Sequence, residues 1–168
     1  MTTLDVVRAQ TFVAENQGMD VQTTKVDVIG GHAGTTILPL LSQVEGASFS
    51  DDDIEKLTQR IMFGGDEVVQ AKDGAGSATL SMAYAGAHFT FKLLEAMSGK
   101  AGVTECAFVE SDVTDAPFFS TPVTLGPNGA EQIHGYGDLS SYEQDVLAKA
   151  VPDLIAQADK GISFVANN

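Results

Sequence analysis

The chain has 168 residues, of which 43% are hydrophobic and 19% charged, and a formal net charge of −14 at pH 7. This length and composition predict one globular domain with a hydrophobic core. The negative charge disfavours nucleic acid and anionic membrane as partners because both would repel the chain. No apolar run approaches the roughly 20 residues that a membrane-spanning helix needs. A carboxylate substrate would need an arginine placed locally, and the chain has only Arg8 and Arg60.

Helix caps, apolar periodicity and turn residues divide the chain into helices and strands. Because the strands cluster instead of alternating with helices, the pattern favours an α+β fold over a doubly wound sheet. We find no internal repeat, low-complexity tract or linker. The predicted elements are a helix (3–16), a strand (24–29), a loop (30–36), an irregular apolar stretch (37–41), a helix from about residue 51 to Val69, a helix (77–97), strands (103–110, 118–125 and 130–136) and a last helix from Ser140.

Three pairs of residues have the spacing of a helix capping box, in which a serine or threonine is followed three residues later by an acid. Pro152 should kink or split the last helix because it lacks an N–H and clashes with the preceding turn. The third helix is rich in alanine, glycine and serine, so it should be buried or lie at an interface. The three capping pairs are Thr2 with Asp5, Ser50 with Asp53, and Ser140 with Glu143.

The single cysteine, Cys106, excludes an internal disulfide and is typical of a reducing compartment. It lies in an apolar run, which predicts a buried and inert thiol. His88 and His134 have no partners at metal-ligand spacing, so we predict no metal. The first residues show no signal peptide, and their abrupt helical start suggests a chain that begins inside a larger protein.

The chemistry-bearing pattern is a histidine in a glycine frame at 29–34 (IGGHAG), downstream of Asp5 and Arg8. Asp5 and Arg8 are three residues apart and share one helix face. If they converge with His32, they could perform acid–base chemistry on a carboxylate substrate. Each residue also has a structural interpretation: His32 as a loop residue bonded to the backbone, Asp5 as a cap, and Arg8 as a surface charge.

A glycine-rich segment at 74–76 (GAG) precedes the third helix and suggests a phosphate-binding loop. The dinucleotide-binding pattern does not fit, because the segment follows a helix and has Thr79 at its sixth position. A tight turn between helices is the better interpretation. On the residues alone, Met82 is a core residue.

Three segments in order, 4–8 (LDVVR), 28–43 (VIGGHAGTTILPLLSQ) and 74–89 (GAGSATLSMAYAGAHF), resemble the catalytic C-terminal half of NAD-dependent malate dehydrogenases, in the lactate/malate dehydrogenase family. The resemblance continues through 105–110 (ECAFVE) into the last helix, so it covers nearly the whole chain. It implies that residues 1–168 form the family's C-terminal catalytic domain, with long helices on a mainly antiparallel sheet. The upstream NAD-binding Rossmann domain would be absent.

The resemblance also implies roles for individual residues. His32 would take the hydroxyl proton of malate as hydride leaves the same carbon for NAD. Asp5 would bond to and orient His32, and Arg8 would hold the carboxylate next to the reacting carbon. The start of the third helix would line the substrate and nicotinamide pocket, and Met82 would contact the dinucleotide.

Because the family binds most of NAD with its upstream half, we expect the chain alone to be inactive. The resemblance implies a dicarboxylate substrate (malate or oxaloacetate), a homodimer formed through the first and third helices, and a cytoplasmic location, with the mitochondrial matrix as the other family compartment. The prediction of malate rather than lactate as the substrate depends on the residues of the histidine motif (30–34), since the family's specificity loop is missing. The competing hypothesis is a non-catalytic α+β domain that forms homodimers through its small-residue helix.

Overall fold

The computed structural model describes residues 2–167, which form four α-helices and a five-stranded antiparallel sheet. The α+β fold class is confirmed. The helices are α1 (Thr2–Gln17), α2 (Asp51–Ala71), α3 (Leu80–Met97) and α4 (Ser141–Ala166). The strands are β1 (Val28–Gly30), β2 (Ile37–Pro39), β3 (Val103–Glu110), β4 (Phe118–Gly126) and β5 (Gly129–Ile133).

The sheet has the strand order β2-β1-β4-β3, and β5 pairs with β4. The short β1 joins β4 where Gly30 pairs with Ser120. Since β1 has neighbours on both edges, the chain leaves the middle of the sheet at Gly30 and enters the loop that contains His32. The sheet therefore anchors this loop at its start, and β2 anchors it at its end.

Three apolar clusters hold the helices on the sheet. The first joins α1 and α2 to β1 and β2 and includes Val13, Val28 and Ile61. The second joins α4 to the sheet through side chains that include Phe119 and Leu154, and the third joins α3 to β3 and β4. The adjacent residues Val28 and Ile29 belong to different clusters because side chains alternate along a strand. Strand β1 is thus covered on both faces.

The start of α1 corrects one prediction. Thr2 already lies inside the helix, so the capping box of Thr2 with Asp5 is wrong. The Thr2 hydroxyl instead accepts a hydrogen bond from Ser120 Oγ on β4 (3.0 Å). The Asp5 carboxylate faces His32 and Arg8. Both side chains therefore make tertiary contacts in place of the capping contacts that the local pattern predicts.

Four further boundaries differ from the sequence-based predictions. Residues 24–27 do not join the sheet, although Val26 is in the core. The stretch 37–41 is not irregular throughout, because its first three residues form β2; Pro39 fits there since β2 is an edge strand. Helix α3 begins at Leu80, three residues later than predicted. Strand β5 ends at Ile133, short of residue 136.

In helix α4 the predicted N-terminal cap is present, and the predicted break at Pro152 is not. Ser140 and Glu143 form a reciprocal capping box, as the sequence predicts. Pro152 lies inside a helix that continues to Ala166, so the predicted splitting is wrong. Leu147 and Leu154 are buried on either side of the proline. Packing of both flanking turns maintains the helix despite the missing backbone bond.

Candidate active site

Asp5 is a fully buried carboxylate in the first turn of α1. The partial positive charge at a helix N-terminus favours an anion there. Its Oδ2 lies 2.5 Å from His32 Nδ1, and its Oδ1 accepts a hydrogen bond from Arg8 Nη1 at 3.4 Å. One buried acid therefore contacts both His32 and Arg8, and both partners help to offset the desolvation of its charge.

The loop that carries His32 is held in a tight conformation that depends on glycine. Gly30 has φ +96°, and a Cβ there would collide with the backbone oxygen of Thr36. A Cβ on Gly31 would lie 2.7 Å from Leu154 Cδ2 of α4. The Thr36 hydroxyl accepts from Ala33 N (3.2 Å) and donates to Ala33 O (2.9 Å). The glycine frame thus permits close packing on both sides of His32 and fixes its backbone.

Arg8 lies one turn after Asp5 on α1, and its side chain is only 13% exposed. Such burial is unusual for a surface cation and argues against the interpretation of Arg8 as a solvated charge. Its guanidinium lies near α2, where Gly64 and Gly65 have no side chains. The structure therefore keeps a planar, permanently charged donor group in a partly enclosed place.

His32, Arg8 and Met82 line one cleft of about 400 Å³. This volume is in the usual range for small-molecule sites, roughly 300–1,000 Å³. The structure thus brings together His32, Arg8 and Met82 in the cleft, and the buried Asp5 contacts His32 and Arg8. The remaining lining residues are Leu4, Ala33, Gly34, Ile37, Met62, Gly65, Asp66, Ser77 and Ala78.

The arrangement can position a proton acceptor. An ionised carboxylate only accepts hydrogen bonds, so Asp5 places the imidazole proton on Nδ1. The lone pair of His32 then lies on Nε2, for which no partner is found among residues 2–167. His32 is 43% exposed and lies beside the Arg8 cation in the same cleft. A ligand with a carboxylate and a neighbouring hydroxyl matches this pair of groups.

Sequence reasoning anticipated one part of this cleft and missed another. Ser77 and Ala78 belong to the segment before α3, which the resemblance placed beside the substrate. Gly65 and Asp66 come from the middle of α2, and nothing assigned them to a site. The sequence feature that could have identified Gly65 and Asp66 is the glycine pair Gly64–Gly65. Two glycines inside a helix destabilise it, and no local feature of the sequence explains their presence.

The remaining reactive side chains lie elsewhere. Cys106 is buried, as predicted, and burial raises the pKa of its thiol far above the ordinary range. His88 Nε2 lies 3.5 Å from Glu105 Oε1, and His134 Nε2 lies 2.7 Å from Thr124 Oγ1. Within residues 2–167, no three His, Cys, Asp or Glu side chains are grouped in a way that could bind a metal ion. In the same part of the chain, every helix is too short or too polar to cross a membrane.

Comparison with known proteins supports the resemblance seen in the sequence. Mitochondrial malate dehydrogenase of Sus scrofa is 55% identical over 168 residues, which are 99% of this chain and 50% of the relative. Glyoxysomal malate dehydrogenase of Cucumis sativus is also 55% identical, over 98% of this chain and 47% of its own length. The chain therefore spans about half the length of the curated relatives it matches.

Solved structures agree on the fold. Malate dehydrogenase of Salinibacter ruber superposes with a TM-score of 0.79 at 25% identity, covering 99% of this chain and 55% of that one. The apo enzyme of Picrophilus torridus gives 0.76 at 22% identity, over 99% and 54% of the two chains. Residues 2–165 match the family profile described as lactate/malate dehydrogenase, alpha/beta C-terminal domain. The chain thus belongs to the lactate/malate dehydrogenase family.

Proposed function

We propose that this chain is the substrate-binding and proton-transferring domain of an NAD-dependent malate dehydrogenase, acting in the reversible oxidation of malate to oxaloacetate. The observation that supports the proposal most directly is the buried Asp5 carboxylate in contact with both His32 and Arg8. The named relatives act on malate and share more than half of their aligned residues with this chain.

In this proposal Arg8 binds the carboxylate of malate that is next to the hydroxyl-bearing carbon. A guanidinium holds a carboxylate through two parallel hydrogen bonds, which fixes both position and orientation. The net charge of −14 repels a dianion at long range, so this local cation has to provide the attraction. The low exposure of Arg8 strengthens its attraction for the ligand because less water screens it.

His32 would accept the hydroxyl proton at Nε2 while the O–H bond breaks and the carbonyl of oxaloacetate forms. The same carbon loses a hydride in this step. The imidazolium that results is stabilised by Asp5, whose Oδ2 lies 2.5 Å from Nδ1. In the reverse direction His32 returns the proton to the carbonyl oxygen. Histidine suits both directions because its unperturbed pKa, about 6.5, is near neutrality.

NAD, when bound, supplies the hydride acceptor. The cleft lining includes the apolar side chains of Met62, Met82, Ala33 and Ala78, which suit the flat nicotinamide end of the cofactor. We propose that Met82 contacts this end. The sequence offers no phosphate-binding loop of the expected kind for NAD, because no strand–GxGxxG–helix unit occurs in it. We therefore also propose that the 168-residue chain alone does not oxidise NADH.

The first test is an NADH-oxidation assay with oxaloacetate and with pyruvate. The chain is assayed alone and joined to the NAD-binding half of a mitochondrial relative. We expect turnover of oxaloacetate by the joined protein only, and a loss of about 10²–10⁴-fold on His32→Ala. His134→Ala is the matched control, because His134 bonds to Thr124 outside the cleft. Full activity of the His32 variant would refute the proposed role, and preference for pyruvate would refute the substrate.

A second candidate function, a homodimeric interaction domain, is favoured by the surface of α3. Five large apolar side chains of this helix are more than half exposed, an unusual density for a free surface. They are Leu80, Tyr84, Phe91, Leu94 and Met97. We propose that this face binds a second copy of the chain, whether or not the domain is catalytic. A non-catalytic domain would differ in showing no effect of His32→Ala.

Sedimentation equilibrium tests the dimer. We expect a dimer at micromolar concentration and a monomer for Phe91→Glu, which places a charge on the α3 face. A wild-type chain that sediments only as a monomer would refute the association. Val165→Glu at the exposed end of α4 is a matched surface control.

The compartment is part of the proposal as well. Relatives named for mitochondria and glyoxysomes favour the mitochondrial matrix and give no support to a cytoplasmic location. Fluorescence localisation of the gene product at its native locus distinguishes the two.

A further inference from the structure

Helix α2 contains a glycine pair that its own stability does not explain. Gly64 and Gly65 lie in the middle of the 21-residue helix. Glycine inside a helix is less stable than alanine by about 1 kcal/mol per residue because it loses more backbone entropy on folding. Both residues have negative φ, so neither is needed for an unusual backbone conformation. The reason for the pair must lie in what a side chain there would touch.

Both glycines face Arg8. A Cβ on Gly64, which is buried, would lie 3.3 Å from Arg8 Cδ and 3.5 Å from Nε. A Cβ on Gly65 would lie 3.8 Å from Nη2 and 3.9 Å from Nη1. Gly64 therefore adjoins the stem of the arginine, and Gly65 adjoins its two terminal nitrogens. Gly65 also lines the cleft that contains His32.

We propose that Gly64 and Gly65 are positioning residues that form a seat for Arg8 and keep its terminal nitrogens open to a ligand carboxylate. Gly64 lets the arginine stem pack against the backbone of α2. Gly65 leaves free the space beside the two nitrogens that a bidentate carboxylate uses. Asp5 bonds to Nη1 from the α1 side, so the guanidinium is held between the acid and the glycine seat.

The width of this seat would then help to determine which acids bind. A Cβ at position 65 would lie 3.8 Å from Nη2 and 3.9 Å from Nη1 of Arg8. A bulky side chain there would therefore block both hydrogen bonds to a ligand carboxylate together. A small Cβ would narrow the space, and a branched chain would fill it. This inference rests on the proposed function insofar as it takes the ligand to be a carboxylate held by Arg8. It adds that the backbone of α2 controls access to that arginine.

The test is direct binding of L-malate to the 168-residue chain, read from the side-chain Nε–H signals of arginine by ¹⁵N NMR. The chain has only two arginines, so Arg60→Lys assigns both signals. Arg60 pairs with Glu15 and Glu67 outside the cleft and serves as an internal reference. Sodium chloride at equal ionic strength controls for screening.

Three variants are titrated: Gly65→Ala, Gly65→Leu and Gly161→Leu. Gly161 is the matched control, because it also lies inside a helix and a Cβ there meets nothing within 4 Å. We expect the Kd for malate to increase from glycine to alanine to leucine at position 65. Gly65→Leu should raise it at least about tenfold, the loss of one hydrogen bond to a charged group. Gly161→Leu should bind as the wild type does.

The outcomes separate this inference from the proposed function. Equal Kd values for the wild type and Gly65→Leu would overturn the inference, whatever the activity assay shows. An Arg8 signal that does not respond to malate in the wild type would overturn it as well. Gly65→Ala, which adds a single methyl at contact distance, keeps the test valid if the leucine variant fails to fold. The proposed function fails separately, by full turnover of the His32→Ala protein.

Discussion

Asp5 and His32 are 27 residues apart in the chain, yet Oδ2 of the buried acid lies 2.5 Å from Nδ1 of the histidine. The contact joins the first turn of α1 to the loop that leaves the middle of the sheet at Gly30. It determines which imidazole nitrogen carries the proton, and the same carboxylate holds Arg8. His32 and Arg8 therefore both depend on the buried Asp5 carboxylate for their positions.

Replacing Asp5 by asparagine should break one of the two contacts. Asparagine keeps one accepting oxygen, but its amide nitrogen only donates hydrogen bonds and cannot accept from whichever of His32 and Arg8 it faces. We expect kcat of the joined protein to fall by about 10²-fold or more, within the range of a positioned acid–base group. Steady-state assays with oxaloacetate measure it. Glu110→Gln, an exposed acid at the end of β3, is the control for a general loss of negative charge. Equal kcat values for the Asp5 variant and the wild type would contradict the role of this acid.

Replacing Arg8 by lysine tests whether the planar fork matters in addition to the charge. Lysine keeps the positive charge but loses the paired donors. A lost hydrogen bond to a charged group is worth about 1.5–3 kcal/mol, which corresponds to a roughly 10- to 150-fold rise in KM for oxaloacetate. We expect KM for NADH to stay unchanged. Arg60→Lys provides the matched control because Arg60 pairs with Glu15 and Glu67 on the surface. A KM unaffected by Arg8→Lys would show that charge alone suffices.

Glu143 should be important for stability. Its buried carboxylate accepts hydrogen bonds from both the backbone N–H and the hydroxyl of Ser42, at 3.0 and 2.6 Å. It also accepts from the backbone N–H and hydroxyl of Ser140, at 2.8 and 2.9 Å. In Glu143→Gln an amide group faces donors, so we expect unfolding free energy to fall by about 2 kcal/mol. This corresponds to a Tm lower by roughly 4–8 °C for a chain of this size.

The control for Glu143 is Glu110→Gln, an exposed acid at the end of β3. We expect its midpoint in urea to equal that of the wild type. If both variants unfolded at the wild-type midpoint, the four hydrogen bonds would contribute nothing measurable.

Glu105 should make stability depend on pH in the opposite sense to a typical acid. Burial raises the pKa of this carboxyl above its ordinary value of 4.5, and His88 and Lys92 oppose the rise. The folded chain therefore holds the proton to higher pH than the unfolded chain does. As pH rises through the window just above 4.5, the contribution of Glu105 to stability decreases. Glu105→Gln removes this decrease.

Urea unfolding from pH 4.5 to 8 checks the sign. The stability of Glu105→Gln relative to the wild type should rise with pH within this range and then level off. Glu110→Gln, on the same strand and exposed, should show no such trend. A relative stability of Glu105→Gln that fell with increasing pH would contradict the burial argument.

Local features of the sequence were sufficient for much of the fold. The Ser140–Glu143 box and the predicted strands at 103–110 and 118–125 depend on short-range patterns, and the structure confirms them. Caps and turns can be predicted because they depend on residues a few positions apart. The resemblance to the family, carried by three motifs in order, predicted the fold class correctly.

The tertiary structure decided where local patterns compete with distant partners. Thr2 and Asp5 fit a capping box, but Ser120 and His32 provide better partners for them. Pro152 should split a helix, but burial of Leu147 and Leu154 on either side maintains it. The convergence of Asp5, Arg8 and His32 and the seat at Gly65 depend on how α1, α2 and the sheet pack together. A single sequence names the residue types suited to this chemistry, while packing alone determines the distances between them.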